Sequence, residues 1–257
     1  MKKILVFAVA ALVAGAAFAA TYTDNSGNAA YSDGWQDADN GGSGFQAWDI
    51  TTTGTAGAFI GSSVQGGIDL GVSSFALYAN SGAGANVDAV RLFATDLGDL
   101  TAFSITLGMN WDSGISGQFK GFEVFDGTQV VFGLNMSDSA TISYYGLSSG
   151  TWSSNYGTTP FTVAFAYDDA ANTMTVTGTE REFGNPVTQI NLSSVTADPT
   201  GIKLYSNEMS TDTGDNRQLY FDDLSVTYET APVPEPATMS LLGLGALAMV
   251  LRRKMSK

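Results

Sequence analysis

The sequence predicts an all-β domain, a two-sheet antiparallel β-sandwich of jelly-roll type, set between two short terminal segments of different character. Three observations predict it. Apolar residues recur with period two through the middle of the 257-residue chain, the pattern of a sheet with one face in a core and one in water. Gly is frequent at 30 residues and Pro rare at 6, which suits many tight turns between strands. The 25 acids are 19 Asp and 6 Glu, a choice that favours turns over helices. No long stretch combines a helical apolar stripe with a charged opposite face.

Residues 1–19 read as a secretory signal peptide, an N-terminal signal helix. Lys2 and Lys3 form the basic start, Ile4 to about Ala14 the apolar region, and Ala17-Phe18-Ala19 the small–x–small cleavage pattern. The exported chain is expected to begin near Ala20. No Cys follows the apolar region, so a lipoprotein anchor is excluded.

Residues 20–229 are expected to form one sandwich of about a dozen strands. Phe103, Ile105, Leu107, Met109 and Trp111 alternate with polar or small residues, and so do Phe161, Val163, Phe165 and Tyr167, then Met174 and Val176. Phe103, Trp111, Phe161 and Phe165 are therefore assigned to the core. Asp126-Gly127 is a two-residue hairpin signal. The segment from Asp168 to Asn172 links the next pair. Near the end, Leu219 and Phe221 are odd-numbered, whereas Leu224, Val226 and Tyr228 are even. A one-residue slip would throw half of them into water, so a β-bulge is expected at Asp222-Asp223.

Residues 230–236 read as a linker, and residues 237–257 as a short transmembrane helix ending in a basic tail. The apolar run from Ala237 to Leu251 is shorter than the roughly 20 residues of an ordinary span. Arg252, Arg253 and Lys254 would stay on the cytoplasmic side. Pro234-Glu235-Pro236, the short Leu/Gly/Ala-rich helix and the terminal Arg pair together resemble the PEP-CTERM sorting signal. The resemblance implies an exported protein of a bacterium that makes exopolysaccharide. It also implies an exosortase, a membrane protease-transpeptidase, as the partner that handles the tail. The expected destination is the membrane before processing, then the cell surface or the extracellular space. Strand spacing and length resemble the jelly-roll family of concanavalin-like lectins and glucanases, including laminin-G-like domains, and segments Gly42–Trp48, Trp111–Gly114 and Tyr220–Leu224 resemble segments common in exported proteins that carry this sorting tail. That second resemblance implies a sandwich and glycan contact.

Composition closes several routes. The chain has no His and no Cys, so it holds no His-based triad, no thiolate metal site and no disulfide. The terminal segments hold six of the eleven cations. The middle holds five (Arg91, Lys120, Arg181, Lys203, Arg217) against all 25 acids, a net of −20. Nucleic acid is excluded as a partner, because phosphate binding needs a basic face. Laminarinase-like members of the jelly-roll family carry Glu-x-Asp-x-x-Glu on one strand, and that motif is absent. Glu180-Arg181-Glu182 is the one close Glu pair, and no catalytic residue is assigned.

Two kinds of site stand as expectations. Ca²⁺ takes six to eight oxygens from acidic and amide side chains in Gly-rich turns. Asp33, Asp37 and Asp39 form one such cluster, and Asp212, Asp215 and Asp222 another. A joint site from both ends of the chain would need its first and last strands to be neighbours. Carbohydrate contact needs exposed rings beside amides and carboxylates. Trp152, Asn155 and Tyr156 fit first, with Tyr144-Tyr145 and Trp35-Gln36-Asp37 next. The expected role is non-enzymatic, a structural or glycan-binding component linked to exopolysaccharide and biofilm. The alternative is a glycan hydrolase or lyase.

Overall fold

The computed structural model describes residues 18–62, 70–80, 84–109, 117–137, 141–153, 160–178, 189–195, 198–208 and 218–230. The Ala17–Ala19 cleavage pattern thus enters the described chain at Phe18. The rest of the signal segment, the linker beyond Thr230 and the sorting tail lie outside it. Among the described residues no helix is long and apolar enough to cross a membrane.

Among the described residues fifteen strands, numbered in chain order, build two antiparallel sheets. The first runs β13 (Gln189–Ser193), β12 (Thr173–Gly178), β11 (Phe161–Asp168), β6 (Asp99–Gly108), β15 (Leu219–Thr230), β4 (Ser74–Ala79) and β3 (Ala56–Gly61), with β1 (Phe18–Asp24) also on β15. The second runs β10 (Gly150–Ser153), β9 (Ile142–Gly146), β8 (Gln129–Ser137), β7 (Phe119–Asp126), β14 (Gly201–Asn207), β5 (Asn86–Phe93) and β2 (Phe45–Thr53). The two-sheet sandwich is the expected fold class.

The period-two pattern decides which residues meet between the sheets. Phe103, Ile105, Leu107 and Met109 of β6 and its end are buried, as are Phe161, Val163, Phe165 and Tyr167 of β11. Facing them, Phe122 and Val124 of β7 and Phe132, Leu134 and Met136 of β8 close the core from the other sheet. Phe103 stacks on Phe122 with ring centroids 6.2 Å apart. Each buried aromatic of this size contributes about 1.5–3 kcal/mol relative to exposure. Trp111 lies outside the described residues.

The bulge forms as the sequence requires. The register of β15 on β6 shifts between Asp222 and Ser225, and Asp223 takes φ 52°. Leu219, Phe221, Leu224, Val226 and Tyr228 all face inward as a result. The β7–β8 hairpin differs by one residue from the sequence expectation. Asp126 still pairs with Gln129, so the loop is Gly127-Thr128, with Gly127 supplying φ +61°. The Asp126 carboxylate accepts the Gln129 N–H, which holds that residue in the ladder.

Candidate functional site on the seven-stranded sheet

The outer face of the second sheet carries a patterned polar surface, and register alone builds it. Tyr145 pairs with Gly133, Gly133 with Glu123, Glu123 with Lys203, and Lys203 with Val90, one row across β9, β8, β7, β14 and β5. The next row is Ser143, Asn135, Gly121, Tyr205 and Asp88. Residues two apart on a strand share a face, so the two rows lie side by side.

Each row contains one glycine beside one tyrosine, and the two are matched. A Cβ on Gly133 would stand 2.5 Å from the Tyr145 ring, and one on Gly121 would run into both the Tyr205 ring and the Leu134 carbonyl. The tyrosines therefore lie flat over bare backbone instead of standing out from the sheet. Their hydroxyls meet in the middle, 3.0 Å apart. Tyr145 donates to Glu123 Oε1 at 2.6 Å. Tyr205 is within donating distance of Asn135 Oδ1 at 2.9 Å. Lys203 Nζ pairs with Glu123 Oε2 at 2.8 Å and stands over the Tyr205 ring.

These groups line a depression of about 610 Å³, with Asn86, Asp88, Phe119 and Ser143 completing its wall. A second depression of about 700 Å³ shares Glu123 and Lys203 with it and continues the trough past Val90, Leu92 and Asp49. Burial sets the protonation states. It pushes both Tyr145 and Tyr205 well above the ordinary phenol range, so both stay neutral donors. Burial also raises Asp88, opposed by the Lys203 charge and a hydrogen bond from Asn86, and assisted by Glu123. The trough thus combines ring faces with hydroxyl, amide and carboxylate groups, the set that grips a polar molecule bearing an apolar face.

Of the residues expected from sequence, Tyr145 belongs to this site. Tyr144 faces the other way and stacks on Phe132. Trp152 is 8% exposed, packed against Phe132 and Phe161 and over Gly178. Asn155 and Tyr156 lie outside the described residues. Trp35 is buried, edge-on to Trp48, Phe75 and Phe221.

Three of the described acids of these clusters already accept hydrogen bonds within the protein. Asp37 accepts the Ile50 N–H at 2.9 Å and Asp39 the Gln36 N–H at 2.8 Å. Asp222 accepts the Ser26 N–H at 2.8 Å and its hydroxyl at 2.7 Å. Asp33 is exposed, and Asp212 and Asp215 lie outside the described residues, as do Glu180 and Glu182. Among the described residues no three acidic side chains are grouped closely enough to hold one metal ion.

Residues 232–254 match the PEP-CTERM protein-sorting motif. The chain carries a PEP-CTERM sorting signal. It is thereby marked as an exported protein, and Pro234, Glu235, Pro236, Arg252 and Arg253 fall inside the matched segment. No curated protein matches the chain in sequence. Among solved structures, a lectin described as UEA-II complexed with galactose aligns at TM-score 0.44 and 7% identity, over 83% of this chain and 99% of the lectin. A lectin from Bauhinia forficata in complex with GalNAc aligns at TM-score 0.43 and 13% identity, over 84% of this chain and all of that one. A sialidase aligns at TM-score 0.46 and 12% identity, over 72% of this chain but 17% of its own length.

Proposed function

We propose that this is an exported, non-enzymatic glycan-binding protein of the cell surface or extracellular matrix, and that the trough on the seven-stranded sheet is its binding site. One observation carries the reading. Tyr145 and Phe119 line the same depression as Asn86, Asp88, Asn135 and Ser143, so a sugar ring would find an aromatic wall and acceptors for its hydroxyls together. The sorting tail supplies the destination. An exosortase is the expected partner at the membrane, and attachment to exopolysaccharide the expected outcome.

The test is affinity electrophoresis of the secreted protein in gels containing polysaccharide. Retardation by at least one polymer is expected, and it should vanish in Tyr145→Ala while the fold survives. Retardation that persists in Tyr145→Ala and in Asn135→Ala would place the binding elsewhere. Mass spectrometry of the protein recovered from cells tests the processing: an intact Arg252–Lys257 segment on the mature form would refute tail removal.

A glycan hydrolase or lyase is a second reading, favoured by Asp88 and Glu123 sharing one depression. Inverting hydrolases hold two carboxyl groups about 6.5–9.5 Å apart, one of them with a raised pKa. Release of reducing ends from a bound polymer, lost in both Asp88→Asn and Glu123→Gln, is the result that would favour it.

A further inference from the structure

We propose that the trough takes uncharged sugars and rejects polymers bearing uronate or sulfate groups; this rests on the glycan reading above and names the class of glycan. The argument starts from where the cations are. Of the five between residues 20 and 229, three are described, and two of those are inside the body. Arg91 is fully buried, ion-paired with Asp24, bonded to the Gln46 carbonyl and to Asn40, and covered by the Phe45 and Trp48 rings. Lys120 is fully buried and donates to the Gln218 carbonyl at 3.3 Å. Arg181 and Arg217 lie outside the described residues.

That leaves Lys203 as the described cation facing the trough, and Lys203 is already paired. Its ammonium is 2.8 Å from Glu123 Oε2, while Glu123 Oε1 holds Tyr145. An anionic sugar reaching Lys203 would have to share its ammonium with Glu123, the carboxylate that also holds the tyrosine forming the wall. It would then sit beside Asp88, a carboxylate lining the same depression, in a domain whose sequence is strongly acidic. Among the described residues, two carboxylates against one already-paired ammonium leave the trough with an excess acceptor. Vicinal hydroxyls of a neutral sugar satisfy a carboxylate of this kind without bringing a like charge to it.

Isothermal titration at physiological salt, with a chelator present, tests the proposal. Neutral glucan, galactan and mannan oligosaccharides form one set, alginate and polygalacturonate oligosaccharides the other. At least one neutral series should bind, and the uronates should bind at least tenfold more weakly. Asp88→Asn should weaken the neutral ligand about tenfold, the usual effect of losing one charge-assisted hydrogen bond, while Asp88→Lys should bring uronate binding up. Uronate binding equal to neutral binding in the wild type would overturn the proposal. So would uronate binding that appears when CaCl₂ replaces the chelator, because the trough would then accept anions through a bridging cation. Neutral binding unchanged in both Asp88→Asn and Tyr145→Ala would remove the trough from the account. Failure of every oligosaccharide in both sets would instead defeat the glycan reading itself. Near-UV circular dichroism of each variant separates lost binding from lost folding.

Discussion

Gly133→Ala should disable the trough from beneath. Gly133 sits in an ordinary strand conformation, without positive φ, so alanine is acceptable to the backbone. The obstacle is the Tyr145 ring, which a new Cβ would approach to 2.5 Å. The ring cannot rise without breaking the bond from its hydroxyl to Glu123 and the 3.0 Å contact with the Tyr205 hydroxyl. A hydrogen bond to a charged group contributes about 1.5–3 kcal/mol and a neutral one about 1 kcal/mol. Replacing glycine offsets about 0.4–1 kcal/mol by restricting the unfolded chain. The expected net loss is therefore about 1.5–3.5 kcal/mol in urea unfolding followed by tryptophan fluorescence, accompanied by loss of glycan affinity. A double-mutant cycle isolates the cause. In a Tyr145→Ala background the same Gly133→Ala change should cost nothing or stabilise slightly. Strictly additive costs would refute the claim that the ring and the glycine are matched. Gly121→Ala provides the contrast: there the Leu134 backbone carbonyl also stands in the way, so Tyr205→Ala should not rescue it fully.

Asp24→Ala should destabilise the fold by about 3–5 kcal/mol in denaturant unfolding, because it leaves the buried Arg91 uncompensated; a change under 1 kcal/mol would mean that Asn40 and the ring faces hold the guanidinium unaided. Alkaline titration followed at 295 nm should show Tyr31 and Tyr228, both raised by burial to about 12, ionising well after exposed tyrosines. The folded state then retains phenol protons that the unfolded chain gives up near pH 10. Stability is accordingly full below pH 10 and lost as pH rises toward 12, and a stability flat across that window would contradict the burial. Asp88, raised by burial, works with the same sign in a lower pH window: its charged form is disfavoured in the folded state. Its cost is absent below the unfolded carboxylate pKa and complete above the folded one. Asp88→Asn should therefore raise the melting temperature slightly at pH 7 and leave it unchanged near pH 3, while weakening the neutral ligand.

The fold was legible because its causes are local. Alternation in Phe103–Met109 and in Phe161–Tyr167 dictates which side faces in, whatever the neighbouring strand. The break in phase between Phe221 and Leu224 dictates a bulge for the same reason. The trough was legible only in part. Its members come from β5, β7, β8, β9 and β14, and their meeting depends on strand order, which alternation does not encode. A local sign did exist. Gly121 and Gly133 interrupt two strands that are otherwise well formed, and an isolated strand glycine marks close approach of another group. Tyr145 was in view, whereas Glu123, Lys203 and Tyr205 carry no motif. Trp152 shows the opposite failure. A polar neighbourhood of Ser and Asn suggested exposure, yet the indole turns to fill the gap over Gly178 at the sandwich edge.

The first and last strands of the domain are neighbours, and a joint of hydrogen bonds sits beside their pairing. On one edge, β15 pairs with β4 through Leu219–Phe221 and with β1 from Leu224 onward. Its other edge stays on β6 throughout. A strand that changes partners along one edge has to pass a point where neither ladder serves it, and the bulge at Asp222-Asp223 lies at that point. The chain leaving β1 at Asp24 passes the same place, and Asp222 captures both the N–H and the hydroxyl of Ser26 there. Burial raises Asp222, while those bonds and the Asp223 N–H oppose the rise, as expected of a carboxylate holding structure in a dry setting. Two residues earlier Asp24 turns inward to Arg91 and Tyr31. Asp222 thus ties the chain just after β1 to the last strand, while Asp24 ties the end of β1 to β5 of the other sheet. The first paired residues, Phe18 and Thr230, stand opposite each other, so the described chain begins and ends at one place on the first sheet. The trough belongs to the other sheet.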